Sequence, residues 1–140
     1  MARICVDASA VLAWLLPDQR AGSVSRLWLH LLESGDELVG PPLLYAECTS
    51  VLREHAYQGT ISADESVDLL RDLLALPILI VQDPELYLRA MSLATRLRHR
   101  RAYDAQYIAA AQLAEAEIVT LDGGLRQAAV EAGTSVRSLP

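Results

Sequence analysis

The chain contains no lysine, so its 12 permanently basic side chains are all arginines. They are outnumbered by 18 acids, leaving a net charge of −6. That balance by itself argues against the broad basic footprint of a nucleic-acid-binding domain. There are only two cysteines, Cys5 and Cys48, each in an apolar context. They exclude a disulfide framework and predict two buried, reduced thiols in a cytosolic protein. Long hydrophobic runs are missing too. The longest apolar stretch, Leu73 to Val81, is interrupted by Pro77 and falls well short of the ~20 residues of a spanning helix. Met1-Ala2-Arg3-Ile4 leads straight into a strand-like segment with no signal-peptide core, so a cytoplasmic protein with no membrane partner is expected. No internal repeat, low-complexity tract or linker is visible, and no glycine-rich phosphate loop or dinucleotide fingerprint occurs. His30, His55 and His99 are scattered without the spacing of a metal site, and solvated or packing roles are expected for them.

What is present fits one domain over residues 1–140, a length that buries roughly two-thirds of the surface its unfolded chain exposes. Hydrophobic residues make up 52% of the chain, an excess that hints at a subunit or partner interface. Trp14 and Trp28 fall on apolar helix faces and are assigned to core or interface. The pattern predicts strands at Arg3–Val6, Glu37–Val39, Ile78–Val81, Glu117–Leu121 and Ser135–Leu139. Helices are expected at Ser9–Leu16 (stopped by Pro17), Ala21–Glu33, Leu43–Tyr57, Ser62 to just before Pro77, Pro84 to about Arg98, Tyr103–Glu115 and Gly124–Ala132. The punctuation is specific: Pro41 and Pro42 before one helix, Gly59 after it, and a Ser62…Glu65 capping box at the next. The continuous aliphatic run at Ile78–Val81 reads as a strand buried on both faces. Strands alternating with helices give an α/β fold with a central parallel sheet of about five short strands and right-handed crossovers. Ligands of such sheets bind at the carboxyl ends of the strands.

Acids stand at those ends. Asp7 directly follows the first strand, in Val6-Asp7-Ala8-Ser9, and Asp122 follows Val119-Thr120-Leu121. Each also suits the N-cap of the next helix. Glu47 shares a helix face with Leu44, Cys48, Val51 and Leu52, where an acid points at the core or at a cleft beside it; an unpaired buried carboxylate there is costly. Asp104 opens a helix that is apolar nearly all round, and an N-cap or dipole role is its simplest alternative. Capping accounts for single residues. It does not account for four acids placed where one crevice can collect them. Carboxylate oxygens are the ligands of hard divalent cations, and Mg²⁺ in particular is held by a few carboxylates, waters and phosphate oxygens.

Together, Val6-Asp7-Ala8-Ser9-Ala10, the Glu47 helix, Tyr103-Asp104-Ala105-Gln106-Tyr107 and Val119-Thr120-Leu121-Asp122 resemble the PIN-domain nucleases, and most closely the VapC toxins of bacterial toxin–antitoxin pairs. The likeness covers almost the whole chain. It implies a PIN-like fold and RNA cleavage with Mg²⁺, with Mn²⁺ able to substitute, one or two ions per site. It also implies a homodimer and inhibition by a small cognate antitoxin. Carried over by position, Asp7, Glu47, Asp104 and Asp122 form the catalytic, metal-binding quartet, and Ser9 and Thr120 are hydroxyls near the metals. The expected reaction is in-line attack on phosphorus by a metal-activated water, leaving a 5′-phosphate and a 3′-hydroxyl. That chemistry needs no protein nucleophile and does not use the 2′-hydroxyl.

Two positions depart from the family pattern. Arg101 stands where Ser or Thr often precedes the third acid by three residues. Gly123-Gly124 stand where a basic residue often follows the fourth. Both bear on substrate preference rather than on metal chemistry. Five of the six residues from Arg96 to Arg101 are Arg or His. Arg96, Arg98, Arg100 and Arg101 are candidate RNA-phosphate contacts, with complementation of a helix C-terminus as the simpler role. Among rivals, a phosphorelay receiver needs an active-site lysine, and a haloacid-dehalogenase-type phosphatase needs an Asp where Ser9 stands. The surviving alternative is a degenerate PIN-like module that binds RNA or a protein partner without cleavage.

Overall fold

A computed structural model describes residues 2–16 and 21–138. The expected helix stop at Pro17 and the expected strand end at Leu139 lie outside the described residues. The elements run β1 (Arg3–Val6), α1 (Ala8–Leu15), α2 (Ala21–Glu33), β2 (Glu37–Gly40), α3 (Leu43–Gln58), α4 (Ala63–Ala75), β3 (Ile78–Ile80), α5 (Pro84–Leu97), α6 (Tyr103–Ala114), β4 (Glu117–Val119) and α7 (Gly123–Glu131). The four strands form one parallel sheet in the order β3-β2-β1-β4. The α/β architecture with a parallel sheet flanked by helices is therefore as the sequence predicts. None of the described helices is long and apolar enough to cross a membrane.

The central strand β1 buries Ile4, Cys5 and Val6 completely. On one side, α6 supplies Ala105, Ile108, Ala109, Ala110 and Ala111, all fully buried. The small side chains let this helix lie close against the sheet, which is the role its all-round apolar pattern implied. Trp28 is buried and stacks on Trp14 with ring centroids 5.2 Å apart, and its indole N–H donates to the Ala10 carbonyl at 3.0 Å. That bond ties α2 to the start of α1 and satisfies the polar atom of a large buried ring. Cys5 and Cys48 are both buried and unpaired with each other.

The capping signals are realised. Ser62 and Glu65 form a reciprocal box at the start of α4, with Glu65 N donating to Ser62 Oγ at 3.0 Å and Ser62 N donating to Glu65 Oε1 at 3.2 Å. Gly59 closes α3 in the left-handed region at φ 79°, where a side chain would be strained.

Three expectations need correction. Ile78–Val81 is not a strand buried on both faces: β3 is the edge of the sheet, and Leu79 is 48% exposed. Aliphatic composition marks a strand but does not say how many neighbours it has. β4 stops at Val119 instead of Leu121, because the amide of Leu121 is drawn to the Ser9 hydroxyl at 2.9 Å. The last strand contracts to a single parallel bridge between Val136 and Ile118. Val136 is the one apolar residue in Ser135-Val136-Arg137-Ser138, so that segment has little surface to bury. Arg137 instead reaches Glu117 at 2.9 Å and Asp36 at 3.2 Å.

Candidate active site

Register fixes the geometry of the carboxyl edge. Val6 lies opposite Val119 in the β1–β4 ladder, so Asp7 and Thr120 leave the sheet side by side. The Asp7 amide still donates to the Val119 carbonyl at 3.4 Å.

Asp7 is only 4% exposed and accepts from three donors. Its Oδ1 accepts from the Ala10 amide at 3.0 Å and from Ser9 Oγ at 2.8 Å; its Oδ2 lies 2.9 Å from the same Ser9 hydroxyl and accepts from Thr120 Oγ1 at 2.6 Å. Each hydroxyl is fed in turn by an amide of the 120–122 loop. Leu121 N donates to Ser9 Oγ and Asp122 N donates to Thr120 Oγ1, both at 2.9 Å. Two short relays thus run from that loop through a hydroxyl onto one carboxylate. Burial pushes the Asp7 carboxyl above its ordinary value, the hydrogen bonds from Thr120, Ala10 and Ser9 pull it back, and the charge of Asp122 pushes it up again.

Asp122 caps α7, its Oδ1 accepting from Gly124 N at 2.8 Å and Leu125 N at 3.3 Å. Capping is therefore real for both Asp7 and Asp122, and it is the device that fixes their carboxylates at the sheet edge. Asp104 behaves differently. The N-cap of α6 is Ala102, which gives no side-chain cap, and Asp104 lies in the first turn. Half-buried, it is pushed above the ordinary carboxylate range by burial first and by Asp122 second, with His99 opposing. Asp122 therefore acts on both other aspartates.

Glu47 enters from α3. Its Oε1 accepts a 2.6 Å hydrogen bond from the hydroxyl of Tyr107, a buried residue of α6. Burial, the bond to Glu47 and the charges of Glu47 and Asp7 all drive the Tyr107 phenol upward, so it remains a donor. The neighbouring Cys48 thiol is pushed up to about 12 by burial, then by Glu47 and Asp7. All four predicted acids thus act within one connected electrostatic neighbourhood. Among the described residues, however, no three His, Cys, Asp or Glu side chains converge closely enough to hold one ion between them. The quartet is an open array. Such a donor set fits a hydrated Mg²⁺ or Mn²⁺, which keeps several waters and takes one or two carboxylates with substrate phosphate.

The arginine cluster divides. Arg98, His99, Arg100, Arg101, Tyr103 and Asp104 line an open hollow of about 490 Å³. Arg98 starts this loop in the left-handed region at φ 59°, at a cost on the order of 1–3 kcal/mol for a residue with a side chain. Arg96 points away, its guanidinium 3.5 Å from the Ala132 carbonyl just beyond α7. Two residues of the site were not singled out by sequence. One is Tyr107, whose buried hydroxyl required a partner and whose available acid was Glu47. The other is Arg126, four residues beyond Asp122, which donates to the Thr120 carbonyl at 3.3 Å. Its signal was its place one turn into the helix that Asp122 opens.

The PIN-domain family signature matches residues 4–131. The chain belongs to the PIN-domain family. Ribonuclease VapC3 of Pyrobaculum aerophilum is 29% identical over 128 residues, covering 89% of this chain and 93% of that relative. Among solved structures, the Mycobacterium tuberculosis toxin VapC20, described as cleaving the sarcin–ricin loop, superposes with a TM-score of 0.72 at 19% identity, over 98% of this chain and 99% of that one. The Rickettsia felis VapBC2 complex, bound to a DNA fragment from its promoter, gives a TM-score of 0.70 at 12% identity, covering 99% of both chains. At these identities the structural likeness establishes the PIN fold.

Proposed function

We propose that this PIN-domain protein is a metal-dependent endoribonuclease and the toxin of a toxin–antitoxin pair. The carrying observation is the placement of Asp7, Asp104 and Asp122 at three helix starts, with the charge of Asp122 acting on both of the others, beside an arginine-lined hollow that Asp104 itself borders. The relatives support the substrate class, since one is a ribonuclease and another is described as cutting an RNA loop. The complex from Rickettsia felis supports an antitoxin partner. Tyr87, Leu88 and Met91 leave apolar surface exposed on α5, with Leu88 and Met91 67% and 65% exposed. That surface supports association with a second copy.

In this reading Asp7, Glu47, Asp104 and Asp122 hold the ion or ions. A bound Mg²⁺ or Mn²⁺ supplies Lewis acidity and a water activated at neutral pH. The chain's own residues hold and orient. Ser9 and Thr120 fix both oxygens of Asp7 with hydroxyls whose protons are already committed. Asp122 is fixed by the amides of α7, and Tyr107 fixes Glu47. Arg98, Arg100 and Arg101 offer guanidiniums to the RNA phosphates flanking the scissile bond. Hydrolysis leaves a 5′-phosphate and a 3′-hydroxyl.

The open array also favours a second reading, a module that binds RNA or a protein without cutting. Mn²⁺ binding separates the two. The purified protein should bind Mn²⁺ and cleave RNA only with the ion, and a protein that binds none is the non-cutting module.

A further inference from the structure

Tyr107 is 3% exposed, so its ring is clamped and its hydroxyl has one place to be. That hydroxyl donates to Glu47 Oε1 at 2.6 Å, joining α6 to α3 across the site. An O–H···O⁻ bond of this length is charge-assisted and strongly directional. Each carboxylate oxygen has two acceptor sites; the phenol takes one on Oε1, and among the described residues none donates to Oε2, which is therefore the freer oxygen for another partner. We propose that Tyr107 is a positioning residue that makes Glu47 a one-oxygen ligand and so biases the site toward Mg²⁺ and Mn²⁺ over Ca²⁺. The inference rests on the metal-site reading of the four acids. Its physical basis is the difference between the cations. Mg²⁺ demands near-octahedral geometry with short bonds, whereas Ca²⁺ takes more oxygens at longer distances and accepts both oxygens of one carboxylate. A Glu47 free to turn and present both oxygens suits the larger ion. A Glu47 with one oxygen held by a phenol suits the smaller ones.

The test uses the full chain without RNA. Mn²⁺ binding is followed by the electron paramagnetic resonance signal of the free ion, and Ca²⁺ binding by its competition. Tyr107→Phe keeps the ring and removes the hydroxyl. It should weaken Mn²⁺ binding by about 10- to 100-fold, the usual effect of losing a partner that orients a metal ligand. Ca²⁺ binding should weaken less or tighten, so the Mn²⁺/Ca²⁺ preference falls. In a Glu47→Gln background the same substitution should change nothing. A Tyr107→Phe protein that binds both ions as the parent does, or loses both equally, overturns the proposal. The two levels of failure are distinguishable. A parent that binds no Mn²⁺, or a Glu47→Gln variant that binds it unchanged, overturns the metal-site reading and this inference with it. Parent binding that depends on Glu47 but not on Tyr107 overturns this inference alone. Should Tyr107→Phe not fold, the parent labelled with ¹³C-carboxyl glutamate decides by infrared spectroscopy. Mg²⁺ should widen the separation of the Glu47 antisymmetric and symmetric carboxylate stretches, as one-oxygen coordination does, and a separation that narrows or stays fixed overturns the proposal.

Discussion

Asp104→Asn tests the site without knowledge of its substrate. The substitution keeps the shape of the side chain and removes its charge. Three effects compete in the metal-free protein. Losing a negative charge in the first turn of α6 forfeits about 0.3–1 kcal/mol of interaction with the helix dipole. Losing a half-buried carboxylate relieves desolvation and the repulsion from Asp122, and it also loses the attraction of His99. The net change should fall within about 1 kcal/mol, or about 3 °C in Tm for a domain of this size. No cap is lost, because Asp104 is not the cap of its helix. Metal changes the scale. At a hundredfold excess over Kd, Mn²⁺ should stabilise the parent by about 2.7 kcal/mol, or about 8 °C. If the substitution raises Kd a hundredfold, the gain at the same concentration drops to about 0.4 kcal/mol, or about 1 °C. Differential scanning fluorimetry with and without millimolar Mn²⁺ reads both numbers. A parent with no shift, or an Asp104→Asn variant with the full shift, refutes Asp104 as a ligand. A pH series without metal adds a second check. Folded Asp104 holds its proton more tightly than the unfolded chain does, whose aspartates titrate near 3.9. Between that value and the raised one the folded state carries more protons, so stability falls as pH rises through the window. Asp104→Asn should flatten that fall, and an unchanged slope contradicts the raised carboxyl.

RNA cleavage should stop in EDTA and return with Mg²⁺ or Mn²⁺ in excess; undiminished activity in chelator rules out the metal mechanism. Arg98→Ala and Arg100→Ala should each lower the log–log salt dependence of RNA binding by about one unit per phosphate contact. Arg96→Ala, whose guanidinium lies against the Ala132 carbonyl, should leave the slope unchanged, and equal slopes for all three would return the cluster to a helix-end role. Cys5 and Cys48 are buried with thiols driven upward by burial, so neither should react with a thiol reagent at pH 8 until the chain unfolds. Rapid modification of the native protein would contradict that packing.

Legibility in the sequence followed how local each signal was. The Ser62…Glu65 box, the Pro84 start and the Gly59 stop are written within a few residues, and the helices they bound appear where expected. Asp7 and Asp122 were readable because each is the first charged residue after an aliphatic strand, and a parallel sheet places such residues on one edge. What escaped depends on partners far along the chain. β3 has strand composition, but only the sheet order makes it an edge. Thr120 and Leu121 prolong the strand pattern, yet they leave the ladder because the Thr120 hydroxyl bonds to Asp7 and Ser9 and the Leu121 amide donates to Ser9, all 111 to 113 residues away. Tyr107 looks like ordinary core until Glu47, 60 residues earlier, is placed opposite its hydroxyl.

The acids share one further trait: Asp7, Asp104 and Asp122 sit at the starts of α1, α6 and α7. Each helix start carries roughly half a positive charge. Three of them offset part of the charge that the carboxylates bring together, which lets the fold form with its acids already in place. The offset is incomplete, and the remaining field is negative. A polyanion approaching the bare edge is therefore turned away, while a divalent cation is drawn in. Under the proposed activity this sets an order of arrival, ion first and RNA second, so RNA bound in chelator should rest on the arginine hollow and leave Asp7, Glu47 and Asp122 untouched.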